Sequence, residues 1–260
     1  LILDLRLQDK VVFVAGSSRG IGKAIAEGFA KEGSKVVVTG RDETSLEKTV
    51  QGLRRKFRPE NILGLPGDLA QTENIKKRLG QTLTTFKKLD IVVGNIGSGR
   101  GKPGYDLADS EWQRFMNINL MTNIRVAREC IPHLIKNRDG AIIFTASIAG
   151  IETLGAPVAY EAAKAAIISS AKNLSYELAR YNIRVNCVAP GNIMFSGSIW
   201  DLKLKKDKKA TMDYIKSNVP CKRLGTPEEI ANIVVFLASD RASFVTGACV
   251  VADGGQTRGF

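Results

Sequence analysis

The chain holds a single histidine, His133, so a histidine-rich zinc centre or a Ser/His/Asp triad would have to be built around one imidazole. That residue lies in CIPHLIKN beside Pro132 and reads as an ordinary helix-surface side chain. Cysteine is sparse as well. Cys130, Cys187, Cys221 and Cys249 are scattered without a CxxC pair, the pattern of reduced thiols in a cytoplasm rather than of a disulfide scaffold. No apolar run approaches the ~20 residues of a membrane-spanning helix. The opening LILDLRLQDK carries Asp4 and Asp9 and no basic region before a long apolar stretch, so a secretory leader is not expected. No Pro/Gly/Ser-rich linker or low-complexity run interrupts the 260 residues, and we read one domain over 1–260. These absences predict a cytoplasmic protein with no metal and no membrane partner.

Apolar residues make up 44 % and charged residues 25 %, enough for a real core. The net charge of +12 raises the question of nucleic acid or an acidic partner. Lys and Arg are dispersed among Glu and Asp along helical stretches, with neither zinc-finger spacing nor an aromatic-basic RNA-reading motif, so nucleic acid is not expected. A steep salt dependence of binding to any duplex would reveal it. One basic run stands out: Lys203, Lys205, Lys206, Lys208 and Lys209, relieved only by Asp207. It reads as a solvated, mobile loop or, alternatively, as a rim that docks an acidic substrate or carrier and that Arg100 and Lys102 join.

Short β-branched runs alternate with helical stretches. The runs are Val11–Val14, Val36–Val38, Ile62–Leu65, Ile91–Val93, Ile142–Phe144, Ile183–Val188 and Cys249–Val251. Helical patterns cover about 20–32, 43–56, 71–86, 109–137 and 157–181. Such alternation predicts an α/β fold: a doubly wound, mostly parallel seven-stranded sheet with helices on both faces. Its ligand crevice belongs at the carboxyl ends of the strands. The long irregular stretch of about 190–208 is expected to serve function.

Directly after the first strand comes Gly16-Ser17-Ser18-Arg19-Gly20-Ile21-Gly22. Glycines there let backbone amides approach a pyrophosphate at a helix N-terminus. The spacing is GxxxGxG, not GxGxxG. Further along stand Asp68-Leu69, Asn95-Ile96-Gly97, Asn119 in INL, Ser147, Tyr160-Glu-Ala-Ala-Lys164, Asn186-Cys-Val-Ala-Pro190-Gly191 and Asp253-Gly254-Gly255. With these motifs in this order, the sequence resembles the short-chain dehydrogenase/reductase family in its single-domain branch of Rossmann type, over nearly the whole chain. Tyr160 and Lys164 are four apart on a helix and share one face. A nearby ammonium is expected to lower the phenol's pKa from ~10 and make it a usable acid or base.

The resemblance implies an enzyme that interconverts a ketone and a secondary alcohol by hydride transfer, similar to 3-oxoacyl-carrier-protein reductases. It makes Tyr160 the acid/base, gives Ser147 the substrate oxygen, and has Lys164 hold the nicotinamide ribose. It assigns Asn119 to a water chain through Lys164. The cofactor residues it implies are Gly16, Ser18, Arg19, Gly20, Ile21, Gly22, Arg41, Asp68, Leu69, Asn95, Gly97, Tyr160, Lys164, Pro190 and Ile193. The segment of about 190–217 would form the substrate loop, with a carbonyl or alcohol substrate that is small, or acidic and carrier-bound. Two departures stand out: Gly94 replaces the first Asn of Asn-Asn-Ala-Gly, and Phe195 replaces a Thr whose cofactor hydrogen bond would pass to Ser196.

Cofactor choice is argued locally. Gly40 falls where NAD-preferring members carry an acid for the adenosine ribose, and Arg41 follows it, with Arg19 nearby. Guanidinium suits a 2′-phosphate, so NADP(H) is preferred and NAD(H) admitted, with Asp42 opposing if it points inward. A homotetramer is implied, through the helices at about 109–137 and 157–181, where Ala162, Ala165, Ala166 and Ile168 form an apolar stripe, and through the last strand. A sugar or polyol dehydrogenase, and a non-catalytic NADP-binding sensor or scaffold, remain alternatives.

Overall fold

The structure, a computed structural model, describes residues 4–259; part of the stretch read for a leader (1–3) lies outside them. Seven strands form one sheet: β1 (Val11–Ala15), β2 (Lys35–Gly40), β3 (Ile62–Pro66), β4 (Ile91–Gly94), β5 (Gly140–Thr145), β6 (Ile183–Pro190) and β7 (Cys249–Ala252). Every pairing is parallel, in the order β3-β2-β1-β4-β5-β6-β7. Seven short runs expected from sequence are seven strands.

The helices are α1 (Gly20–Lys31), α2 (Glu43–Lys56), α3 (Thr72–Phe86), α4 (Asp109–Met116), α5 (Thr122–Asn137), α6 (Val158–Leu178), α7 (Ile199–Lys206), α8 (Lys208–Asn218) and α9 (Pro227–Ala238). Side chains alternate across the sheet, which divides the core in two. Val12 and Val14 of β1 join Ile25, Phe29 and Val234 on one face. Val11 and Phe13 join Phe144, Leu134 and Ile167 on the other. Truncating the fully buried Phe13 or Phe144 to Ala would cost about 3–5 kcal/mol.

Two details position the site. Strand order reverses at β1, so the ends of β1 and β4 lie side by side, with Ala15 paired to Gly94. Loops leaving those ends diverge and open a crevice. The segment 109–137 is also not one regular helix. A wide π-turn, Asn117–Met121, joins α4 to α5 and carries Asn119.

The stretch 190–208 departs from the loop expectation. Only 191–198 is irregular, and the lysines lie on α7 and α8. Ser198 caps α7 by accepting from the Asp201 N–H, and Asp207 caps α8 by accepting from the Ala210 N–H. Each helix is short and lysine-rich, at two to three turns too brief for its apolar positions to read as a period, while lysine itself favours helix.

Candidate active site

The glycine turn after β1 shows why its residues are small. A Cβ at Gly22 would fall 2.2 Å from the Gly16 carbonyl oxygen and 2.6 Å from Asn95 Nδ2. Asn95 itself donates to that carbonyl at 3.0 Å and so braces the turn from the end of β4. Helix α1 then begins with no side-chain cap and no acid in its first turn. Bare amides and the positive end of the helix dipole make an anion cradle there. Ile21 packs against the core, and the ring of Phe195 lies over Gly20, where a Cβ would meet it at 2.6 Å.

At the end of β2, Ser18 fills the space above Gly40. A Cβ at position 40 would lie 2.7 Å from Ser18 Cβ and 2.8 Å from its Oγ, which leaves no room for the acid absent from this position. Arg41 is exposed beside it. Asp42 does not oppose it: its carboxylate caps α2 by accepting from the Ser45 N–H at 2.8 Å, which also lowers the Asp42 pKa. Arg19 reaches toward Gly197, where a Cβ would stand 3.1 Å from Nη1. Asp68 accepts from the Ala70 N–H at 3.1 Å, whereas the Leu69 side chain is core, leaving its backbone for any ligand. Pro190 ends β6, and Ile193 is buried beyond it.

Four residues converge beyond β4 and β5. Ser147 follows β5 and caps a short 3₁₀ turn, Ile148–Gly150, its Oγ accepting from the Ala149 N–H. That turn rests on α6 because Gly150 has no side chain: a Cβ there would sit 2.5 Å from the Lys164 carbonyl carbon. Tyr160 packs edge-on to Phe115, with ring centroids 6.4 Å apart. Lys164 is buried, and its Nζ donates to the Thr145 carbonyl at 2.8 Å. Gly97 lies between the other two groups, for a Cβ at 97 would be 2.8 Å from Asn119 Oδ1 and 3.2 Å from Lys164 Nζ.

The charges behave differently from the sequence expectation. Burial, the largest influence, pushes the Tyr160 phenol up; a hydrogen bond with Ser147 pulls it down and Glu161 adds to the rise. The Lys164 ammonium, 5.9 Å from the Tyr160 ring centroid, does not reverse that direction. The ammonium itself is brought down to about 8 from 10.5, because it has been taken out of water. Asn119 is occupied in holding the chain: it accepts from the Ser98 N–H at 2.8 Å and donates to the Ser98 and Phe115 carbonyls at 3.1 Å. One turn on, the buried Asn123 grips both the N–H and the carbonyl of Ile96. Asn123, Gly150 and Phe115 are the residues that sequence reasoning missed. Only the Asn119/Asn123 spacing, one helical turn, offered a signal.

A cavity of about 310 Å³ opens beside Tyr160, between the loop after β4 and helix α7. Another, of about 220 Å³, opens at Ile193, Cys221 and Gly254; none of the four convergent residues lines either cavity. Among the described residues no cluster of His, Cys, Asp or Glu has the makings of a metal site, and no helix is long and apolar enough to cross a membrane.

A crevice at the switch point, a glycine-built anion cradle, and a Ser, Tyr and Lys gathered beside it are the marks of a dinucleotide-dependent oxidoreductase fold. The family model described as enoyl-(acyl carrier protein) reductase matches residues 15–257. The chain is similar to the 3-oxoacyl-[acyl-carrier-protein] reductase FabG of Thermotoga maritima, 34% identical over 96% of this chain and 99% of that protein. It is 33% identical to an NAD-dependent glycerol dehydrogenase of Listeria innocua, over 98% of this chain and 96% of that one. The crystal structure of L-sorbose reductase from Gluconobacter frateurii, complexed with NADPH and L-sorbose, superposes with a TM-score of 0.93 at 34% identity, covering 99% of this chain and all of that one. The chain belongs to the short-chain dehydrogenase/reductase family of oxidoreductases. The uncapped, acid-free start of α1 fits the pyrophosphate of that family's nicotinamide dinucleotides.

Proposed function

We propose that the protein is an NADP(H)-dependent oxidoreductase that interconverts a ketone and a secondary alcohol: ketone, NADPH and one proton give alcohol and NADP⁺. The observation that carries the reading is the convergence of Ser147, Tyr160 and Lys164 at the end of β5 with Gly97 beside them. Bound nicotinamide supplies the hydride. Tyr160, kept protonated at neutral pH by burial, donates its proton to the carbonyl oxygen in reduction, and as phenolate accepts it in oxidation. Ser147 donates to the same oxygen and fixes its orientation. Lys164 holds the ribose hydroxyls and presents a charge next to the phenol. Asn119 acts as a positioning residue, holding the backbone at Ser98. Gly16, Ser18, Arg19, Gly20, Ile21 and Gly22 would take the pyrophosphate side, Asp68 and the Leu69 backbone the adenine side, and Asn95, Gly97, Pro190 and Ile193 the nicotinamide side. Turnover of a ketone panel with NADPH tests the reading; tight NADPH binding with no turnover of any ketone supports the sensor or scaffold instead.

The preference for NADPH rests on Gly40 and Ser18, which exclude an acid, on the exposed Arg41, and on Asp42 being turned into its helix cap. Arg41→Ala is expected to weaken NADPH binding about tenfold while leaving NADH within about twofold, measured by fluorescence titration; one charge-assisted phosphate contact is worth ~1.5–3 kcal/mol. Equal affinity of the parent protein for both cofactors would contradict it.

The 260 residues work as one domain in the cytoplasm, with 190–217 as substrate wall, and assemble as a homotetramer. Ala165 of the α6 stripe is exposed, and Phe236, Phe244 and Val251 are exposed around the edge strand β7, apolar surfaces of the kind an interface covers. Light scattering at micromolar concentration should return four times the chain mass; a monomer would refute the assembly. The substrate classes open to this reading run from 3-oxoacyl thioesters to, as for the sorbose and glycerol enzymes, sugars and polyols.

A further inference from the structure

The cavity beside Tyr160 carries information on the substrate that the reacting residues do not. Its floor is apolar, made by Ile199, Leu202 and the bare backbone of Gly99, and its wall carries three cations, Arg100, Lys203 and Lys206. Gly99 joins it to the reacting centre: a Cβ at that position would lie 3.5 Å from Tyr160 Cζ, outside the cavity lining, and 3.3 Å from Ile199 Cδ1 within it. No carboxylate lines it.

The acids nearby are engaged elsewhere. Glu111 is held by Arg114 through two contacts of 2.8 Å. Asp201 accepts from Lys205 at 2.8 Å and from the Gly197 N–H at 2.7 Å. Asp207 caps α8. Arg100, Lys203 and Lys206 form no ion pair among the described residues.

Two of the three cations are also held in place. Arg100 donates through Nη2 to the Gly197 carbonyl at 2.5 Å, tying the loop after β4 to the segment that precedes α7, and its own carbonyl accepts from Arg114 at 2.9 Å. That leaves the rest of its donor fork unspent. Lys203 stands 4.4 Å above the Trp200 ring, which is stacked on Tyr214. Of the docking rim expected from sequence, Arg100, Lys203 and Lys206 line the cavity, Lys205 is spent on Asp201, and Lys102, Lys208 and Lys209 lie outside it.

Resting on the oxidoreductase reading above, we infer that the substrate is a compact carbonyl compound with an anionic oxygen group, a carboxylate or phosphate, at the end remote from the reacting carbon, seated among Arg100, Lys203 and Lys206. Three cations on an apolar floor would leave a neutral ketone opposite unpaired charge, whereas an anion there is paired with all three. The cavity is an open groove with Leu202 half-exposed on its floor, which suits a short stem lying on Ile199 and Leu202 with its charged end towards the three exposed cations.

The test compares keto acids and phosphorylated ketones with their neutral methyl-ester or dephosphorylated counterparts, in parent protein, in Lys203→Gln/Lys206→Glu and in Lys208→Glu/Lys209→Glu, which makes a comparable change in charge outside the cavity. The parent should favour the anion by at least tenfold in kcat/KM, through KM and less so as salt rises. The cavity variant should lose most of that preference and the outer variant should keep it. Carboxylate and phosphate are told apart by which pair shows the larger ratio. Calorimetric binding of a non-reducible anion, succinate or glycerol phosphate, reads the site without turnover and should weaken about tenfold in the cavity variant. Thermal melting checks that the variants fold; if Lys203→Gln loosens α7, Lys206→Glu alone serves. Equal parent kcat/KM for acid and ester, or equal losses in both variants, overturns the inference while leaving the ketone reductase intact. Anion binding at the cavity without turnover of any ketone would instead overturn the reaction and keep the site.

Discussion

Tyr160→Phe should reduce ketone turnover by about 10²–10⁴-fold, the usual worth of a placed general acid, while NADPH still binds within a fewfold of the parent. The phenol's pKa is raised by burial before any other influence, so at neutral pH it is a proton donor and the free protein is poised for reduction. Reduction should therefore hold steady through neutral pH and fall in the alkaline range as the phenol ionises. Alcohol oxidation, which needs the phenolate, should rise over the same range. The Phe variant keeps the ring against Phe115 and loses only the hydroxyl, so its melting temperature should stay close to the parent's. Undiminished turnover would remove Tyr160 from the mechanism; loss of turnover together with loss of folding would mean that the substitution tested packing.

Lys164→Met should act in opposite directions on activity and stability. The ammonium is fully buried, with a pKa near 8 in the folded protein against 10.5 ordinarily. A lowered lysine pKa means that the unfolded chain binds more protons between those values, so this group's contribution to stability rises with pH from about 8 to 10.5 and is least favourable below 8. Methionine fills similar volume without the charge. It forfeits one hydrogen bond to Thr145, and the net gain at pH 7 should be about 1–3 kcal/mol, closing above pH 10. Activity should drop at least about a hundredfold, since the site loses the ammonium that would hold the nicotinamide ribose beside the phenol. Chemical denaturation at pH 7 and pH 10 measures the first effect. A lysine kept for structure alone would give a less stable variant at both pH values.

The seven strands were legible because each is a short β-branched run buried on both faces, and the convergence of Tyr160 with Lys164 followed from a spacing of four on a helix. The position of Ser147 was legible only as the end of a strand. What brings it to α6 is the missing side chain of Gly150, and nothing in SIAG marks that glycine as a contact rather than a turn. Helices α7 and α8 escaped notice since their caps, Ser198 and Asp207, precede lysine-rich sequence whose apolar positions are too few to make a period. The sign of the Tyr160 shift was misjudged for a physical reason: sequence spacing brings an ammonium within reach but carries no measure of burial, and burial is the stronger influence. Arg19 likewise lies next to Gly20 in sequence, and only the fold shows its side chain reaching toward Gly197.

Reduction of a carbonyl carbon to a carbinol is the reaction proposed for this site, and transfer of an isotopic label reports on it without assuming a substrate. Parent protein is incubated with NADPH deuterated at the transferring position and a mixture of keto acids and neutral ketones, and the products are resolved by mass spectrometry. The predicted result is a secondary alcohol bearing one deuterium on its carbinol carbon, formed in step with NADP⁺ and absent when Tyr160→Phe replaces the parent. Unlabelled ketones recovered intact beside tightly bound, unoxidised NADPH would contradict it.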